Sequence, residues 1–146
     1  MSLLNYTTTI DADKTAGEIS KMLAKSGVKG VLTEYNEDYG FVEAISFKII
    51  VNERNIAFKL PCDWRPVLQI LKNDKKVPKN KCTREQAVRV SWRIVKDWVE
   101  AQLAIIQTQM VRTEEVFLPY MVMKNQKTLS ENLQDNPAFL LGDGDN

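Results

Sequence analysis

Hydrophobic and polar positions alternate in several distinct rhythms along this chain. Tyr6, Thr8 and Ile10 alternate with Asn5, Thr7 and Thr9, which predicts a half-buried first strand rich in β-branched residues. The spacing then becomes helical: Ala16, Ile19, Met22 and Leu23 share a face, Asp11 or Asp13 is placed to cap it, and Gly27 to end it after Lys25. Residues 28–35 read as a strand, and Asn36, Glu37, Asp38, Tyr39 and Gly40 supply the turn of a hairpin. In the following strand, 41–51, Phe41, Ile45, Phe47, Ile49 and Val51 share one parity, which Glu43 alone interrupts. Either a bulge flips Glu43 outward or it is buried and paired. A second turn at 52–55 leads to Ile56, Phe58 and Leu60, ended by Pro61. Asp63 can cap a short helix whose Val67, Leu68, Ile70 and Leu71 point inward, with Pro66 tolerated in its first turn.

The loudest signal is one long helix over residues 83–110. At about 100° per residue, Glu85, Gln86, Arg89, Arg93, Lys96, Asp97, Glu100 and Gln107 fall within an arc of roughly 120°. The remaining circumference is apolar and includes Trp92 and Trp98, both expected in the core, so the helix is expected to bury itself against two partners. Thr83 and Gln86 have capping-box spacing. Beyond it, Thr113 can cap a helix through Met123 that Pro119 kinks or shortens, and Leu129 and Leu133 anchor a last turn or two. The predicted class is α+β: a mostly antiparallel sheet of about four strands in the order β-α-β-β-β, with a long central helix across one face and C-terminal helices packed on it. A single domain over 1–136 is expected, followed by a loose acidic tail at 137–146 that carries Phe139, Leu140, Leu141, Asp143 and Asp145.

Composition narrows the class of activity. No window holds the about 18 consecutive apolar residues of a membrane span, and the N-terminus lacks the pattern of a secretory signal, so a cytoplasmic setting is expected. Cys62 and Cys82 form no C-x-x-C pair, and a disulfide between them is not expected. With no histidine, the commonest general base and metal ligand is missing, and neither G-x-x-x-x-G-K-[ST] nor G-x-G-x-x-G is present. A non-enzymatic protein without metal or other cofactor follows as the expectation. Glu34, Glu37, Asp38 and Glu43 around the first hairpin read as a solvated turn, with a divalent cation as the rarer alternative.

Charge is unevenly placed. Residues 71–97 hold nine basic against three acidic side chains, although the whole chain carries only +1. Lys72, Lys75, Lys76, Lys79 and Lys81 form a basic loop that continues into Arg84, Arg89, Arg93 and Lys96, the last three on the polar arc of the long helix. Such a strip suits a phosphate backbone. The plainer alternative is a solubilising loop followed by intrahelical pairs such as Arg93 with Asp97 and Lys96 with Glu100. Tyr6, Tyr35 and Tyr39 would stack on bases if the sheet presented them outward, and would otherwise be packing residues.

The run VSWRIVKDWVEAQLAIIQTQM, followed by EEVFLPYMV and KTLSENL, resembles a group of small bacteriophage and prophage proteins to which no activity is assigned. Their corresponding region reads W-R-[IL]-[LV]-K-D-W-V-E-A-Q-L-A, then E-V-x-L-P-Y, then T-L, and the earlier FKLPCDW also looks like their pattern. The resemblance spans most of the chain. It implies a mobile-element, cytoplasmic setting and transfers no site residues. Together with the basic strip it leads to an accessory protein that binds nucleic acid in DNA replication or recombination. The alternative is a protein-binding module that captures or inhibits a host factor through the sheet face, the acidic hairpin or the tail.

Overall fold

A computed structural model of the chain describes residues 1–138. Its elements are α1 (Ala12–Lys25), β1 (Gly30–Tyr35), β2 (Val42–Val51), β3 (Arg54–Lys59), α2 (Trp64–Asn73), α3 (Arg84–Gln107), α4 (Thr113–Val116) and α5 (Leu129–Asp135), with short 3-10 turns at Lys79–Lys81 and Leu118–Tyr120. The class is α+β, built on one antiparallel sheet of three strands in the order β1-β2-β3. The expected fourth strand at Tyr6 to Ile10 is absent. Asn5 turns the chain with φ of 66°, and the carbonyls of Tyr6 and Thr8 accept from the Gln86 side chain at 2.9 Å each instead of joining a ladder. Alternation alone therefore did not make a strand there, because a helix side chain took its hydrogen bonds.

β2 carries the core and contains a bulge. Glu34 faces Ala44 and Tyr35 faces Val42, so Glu43 is an extra residue with no partner on β1. The bulge turns Glu43 into solvent, where it accepts from the Asn36 amide at 3.1 Å, and it settles the expected choice in favour of the outward one. It also shifts the inward parity: Val42 on one side of the bulge and Ile45, Phe47 and Ile49 on the other all pack inward, while Phe41 is only half-buried.

α3 crosses that inner face. Val88, Trp92, Val95 and Val99 join Ile45, Phe47 and Phe58 in the main core, and α1 adds Ala16, Ile19 and Leu23. A second cluster joins Leu71, Val77 and Ala87 with Tyr6, Trp64, Val67 and Leu68. The two partners that flank α3 are thus α1 and α2. Of the C-terminal helices, α4 reaches α3, with Phe117 just beyond it edge-on to Trp98 at 5.6 Å; α5 packs against the turn Leu118–Tyr120. Thr83 caps α3 by accepting from the Gln86 N–H at 3.1 Å, but the Gln86 side chain does not complete the box, being engaged with the N-terminal segment. The helix ends at Gln107, short of Met110, and Gln109 follows in left-handed backbone at φ of 68°. The helix expected from Thr113 to Met123 stops at Val116, with Arg112 at its cap and Pro119 in the 3-10 turn beyond.

The edges of the sheet differ. β3 is covered by the chain at Met121 and Val122, the Val122 N–H donating to the Ala57 carbonyl at 2.8 Å. Among the described residues nothing pairs with the far edge of β1. None of the described helices is long and apolar enough to cross a membrane. The tail expected to be loose lies, from residue 139, outside the described residues.

Candidate nucleic-acid interface

The basic segment between α2 and α3 is less of a loop than its composition suggests. Lys72 lies in the last turn of α2. Asp74 then turns the chain, its carboxylate accepting from the Lys76 N–H at 2.9 Å and its carbonyl from the Val77 N–H at 3.1 Å. Val77 is buried in the second cluster, and the Cys82 thiol donates to the Leu71 carbonyl at 3.4 Å. An apolar anchor and a sulfur hydrogen bond therefore fix the connector to α2. Lys75, Lys76 and Lys79 on it, and Lys72 at the end of α2, are exposed, and Lys81 is half-buried. None of the five lies in an ion pair among the described residues. Asp74 is the one carboxylate among residues 72–81; a hydrogen bond from the Ser2 hydroxyl, then the Lys76 N–H, hold it below the usual carboxylate range.

Arg84 extends this surface to the hairpin. Its guanidinium carbon sits 3.5 Å from the centre of the Tyr39 ring, a cation–π contact, and Tyr39 stacks parallel to Phe41 at 5.9 Å. Glu85 also lies 3.6 Å from Arg84.

The rest of the expected strip is engaged within the chain, Arg89 least tightly, with its side chain 35% exposed. Arg89 pairs with Asp11 at 3.6 Å. Arg93 donates to Glu18 at 2.8 Å and to the Thr15 hydroxyl at 3.4 Å, leaving its side chain only 15% exposed. Lys96 pairs with Glu100 at 3.0 Å and is 18% exposed. α1 lies along the polar arc that was expected to face solvent, so Arg89 and Arg93 are cross-links between helices. The sequence held a sign of this: Asp11 and Glu18 are two helical turns apart, and Arg89 and Arg93 one, on helices that each carry an apolar face beside those charges.

The three tyrosines separate in the same way. Tyr6 is packed in the second cluster, whereas Tyr35 and Tyr39 are each 56% exposed. The acidic hairpin is organised by Asn36, whose side-chain oxygen accepts from the N–H groups of Asp38 and Tyr39 at 3.0 and 2.9 Å. No cluster of three metal-ligating side chains occurs among the described residues.

Chemistry near the Cys62 thiol is muted. Cys62 borders a cavity of about 50 Å³ with Ser91, Trp92 and Asp63. Burial, reinforced by the charge of Asp63, pushes its thiol up to about 12, so it is not a thiolate at neutral pH. The Ser91 hydroxyl is committed to the Ala87 carbonyl at 2.6 Å. No family model matches the chain, and neither a curated protein nor a solved structure does.

Proposed function

We propose that this chain is a non-enzymatic accessory protein of a phage or prophage that works in the host cytoplasm and binds nucleic acid in DNA replication or recombination. The carrying observation is a set of exposed lysines, Lys72 at the end of α2 and Lys75, Lys76 and Lys79 on the connector anchored by Val77, none in an ion pair among the described residues, with Lys81 and Arg84 adjoining. An anchored backbone supports phosphate contact because less conformational freedom is lost when the lysines engage. Arg89, Arg93 and Lys96 are each paired within the chain, so the reading rests on the lysines and not on them.

Fluorescence anisotropy on single-stranded and duplex DNA over a salt series tests this reading. Four phosphate contacts give a slope of log K against log salt of about −4 on duplex DNA, and each Lys→Ala change in the connector lowers its magnitude by about 1. The same changes at Arg93 and Lys96 leave the slope alone. No binding at low salt, or binding that survives Lys75→Ala, Lys76→Ala and Lys79→Ala together, would overturn it.

The host-factor reading keeps one specific support. Leu32 and Ile50 are 60% and 51% exposed on the outer face of the sheet. A stoichiometric protein partner that withstands nuclease treatment and is lost on Ile50→Lys would favour it.

A further inference from the structure

The edge of β1 with which nothing pairs among the described residues has a self-complementary arrangement. Gly30, Leu32 and Glu34 alternate onto the face of the sheet away from α3, and Val31 packs toward the core. On the neighbouring strand Lys48 is the partner of Gly30, and Ser46 of Leu32. A β-carbon added at Gly30 would lie 3.5 Å from Cε of Lys48 and 3.9 Å from its Cγ, so the lysine stem lies across the glycine. Neither Glu34 nor Lys48 has an ion-pair partner among the described residues. Within one chain they cannot meet: Glu34 faces Ala44, four residues from Lys48, which is about 13 Å along a strand. Leu32 sits midway between the two charges, 60% exposed, on an edge with no proline to discourage pairing.

We infer that two copies of this chain join through their β1 edges, antiparallel, about a twofold axis at Leu32, to form one continuous six-stranded sheet. Opposed residues in such a pair must point to the same face, so each residue meets one of its own parity. With the axis at Leu32, the two leucines face each other and Glu34 stands opposite the partner's Gly30. Beyond that glycine lies the partner's Lys48, about 10 Å away across two strand spacings, a gap that a lysine leaning over a glycine and a facing glutamate together close. The twofold repeats the ion pair. Moving the axis to Thr33 sets Leu32 against Glu34, and moving it to Val31 sets Glu34 against Val28; both lose the match. The pairing is isologous, so it closes at two copies.

Sedimentation equilibrium on the full chain tests the inference, with circular dichroism to confirm folding; Glu34 and Lys48 are both solvent-exposed, which suits them to charge reversal. Wild type is expected to dimerise. Glu34→Lys alone and Lys48→Glu alone each lose both pairs and weaken the dimer by about tenfold or more, and the double reversal restores it. Restoration would have no intrachain explanation, given the separation of the two residues in one copy. A monomeric wild type, whether its edge stays bare or takes an extended segment of another protein, overturns the inference. So does a dimer that either single reversal leaves intact or that the double reversal fails to recover.

Discussion

Trp92 and Val42 are joined by a buried hydrogen bond in which the indole N–H donates to the backbone carbonyl at 2.9 Å. Val42 flanks the bulge at Glu43, where the ladder to β1 shifts register. The bond fixes α3 across the sheet at the point where the sheet is least regular. Because both groups are almost fully buried, neither has water as a substitute partner.

Replacing Trp92 with Phe should therefore cost more than its lost area. The Val42 carbonyl is left without a donor, and a destabilisation of about 2–3 kcal/mol is expected from urea unfolding, with the slope m unchanged. A loss below about 0.5 kcal/mol would mean that the indole bond contributes little.

Arg93 and Glu18 should behave as a structural pair between helices. A double-mutant cycle with Arg93→Ala and Glu18→Ala is expected to yield a coupling of about 1 kcal/mol, reduced but not abolished in high salt because the arginine is mostly covered. A coupling of zero would return Arg93 to the pool of available cations.

Gln86 holds the N-terminal segment through two donated hydrogen bonds from one amide nitrogen. Gln86→Ala should raise amide exchange and proteolysis in residues 1–10 and leave β2 protected. Gln86→Glu should be worse than Ala, since an ionised carboxylate faces the Tyr6 and Thr8 carbonyls with no proton to offer. Exchange in Gln86→Ala no faster than in wild type would remove Gln86 as the tether.

Cys62 makes stability depend on alkaline pH. Its thiol titrates near 9.0 when unfolded and about 12 when folded, so the folded state keeps a proton that the unfolded state gives up. Stability from this source is complete below pH 9 and falls as pH rises toward 12. Cys62→Ala should flatten that part of the decline relative to wild type, as followed by urea titrations across the range. Thiol labelling at pH 8 should be slower at Cys62 in the folded protein than in urea.

The hairpins, α1, α2 and the start of α3 were legible because each rests on local chemistry, Asn36 and Gly40 in the first turn, Asp63 at the cap of α2 and Thr83 at the cap of α3, although Asp11 occupies the cap of α1 without a side-chain bond and Ile70, expected inward on α2, is exposed. The strand expected at Tyr6 failed for a non-local reason. Its carbonyls are claimed by a residue about 80 positions away, which no window around Tyr6 contains. The basic interface was half legible for the same reason: local composition located Lys72 to Lys81, but the engagement of Arg89 and Arg93 depended on where α1 would lie, whereas the Lys96–Glu100 pair is the local i,i+4 one that the spacing offered. Val77 was a readable clue that the connector is anchored, as a lone apolar residue within a lysine-rich run.

The extra residue at Glu43 acts as a phase shifter between the hairpin turn and the core. Residues on the turn side and on the core side of it obey opposite odd–even rules, so the length of the turn and the presence of the bulge are a single coupled setting. Removing Glu43 would rotate the turn-side segment by one strand position, taking Val42 away from Trp92 and Tyr39 away from Arg84, with every side chain in the hairpin still present.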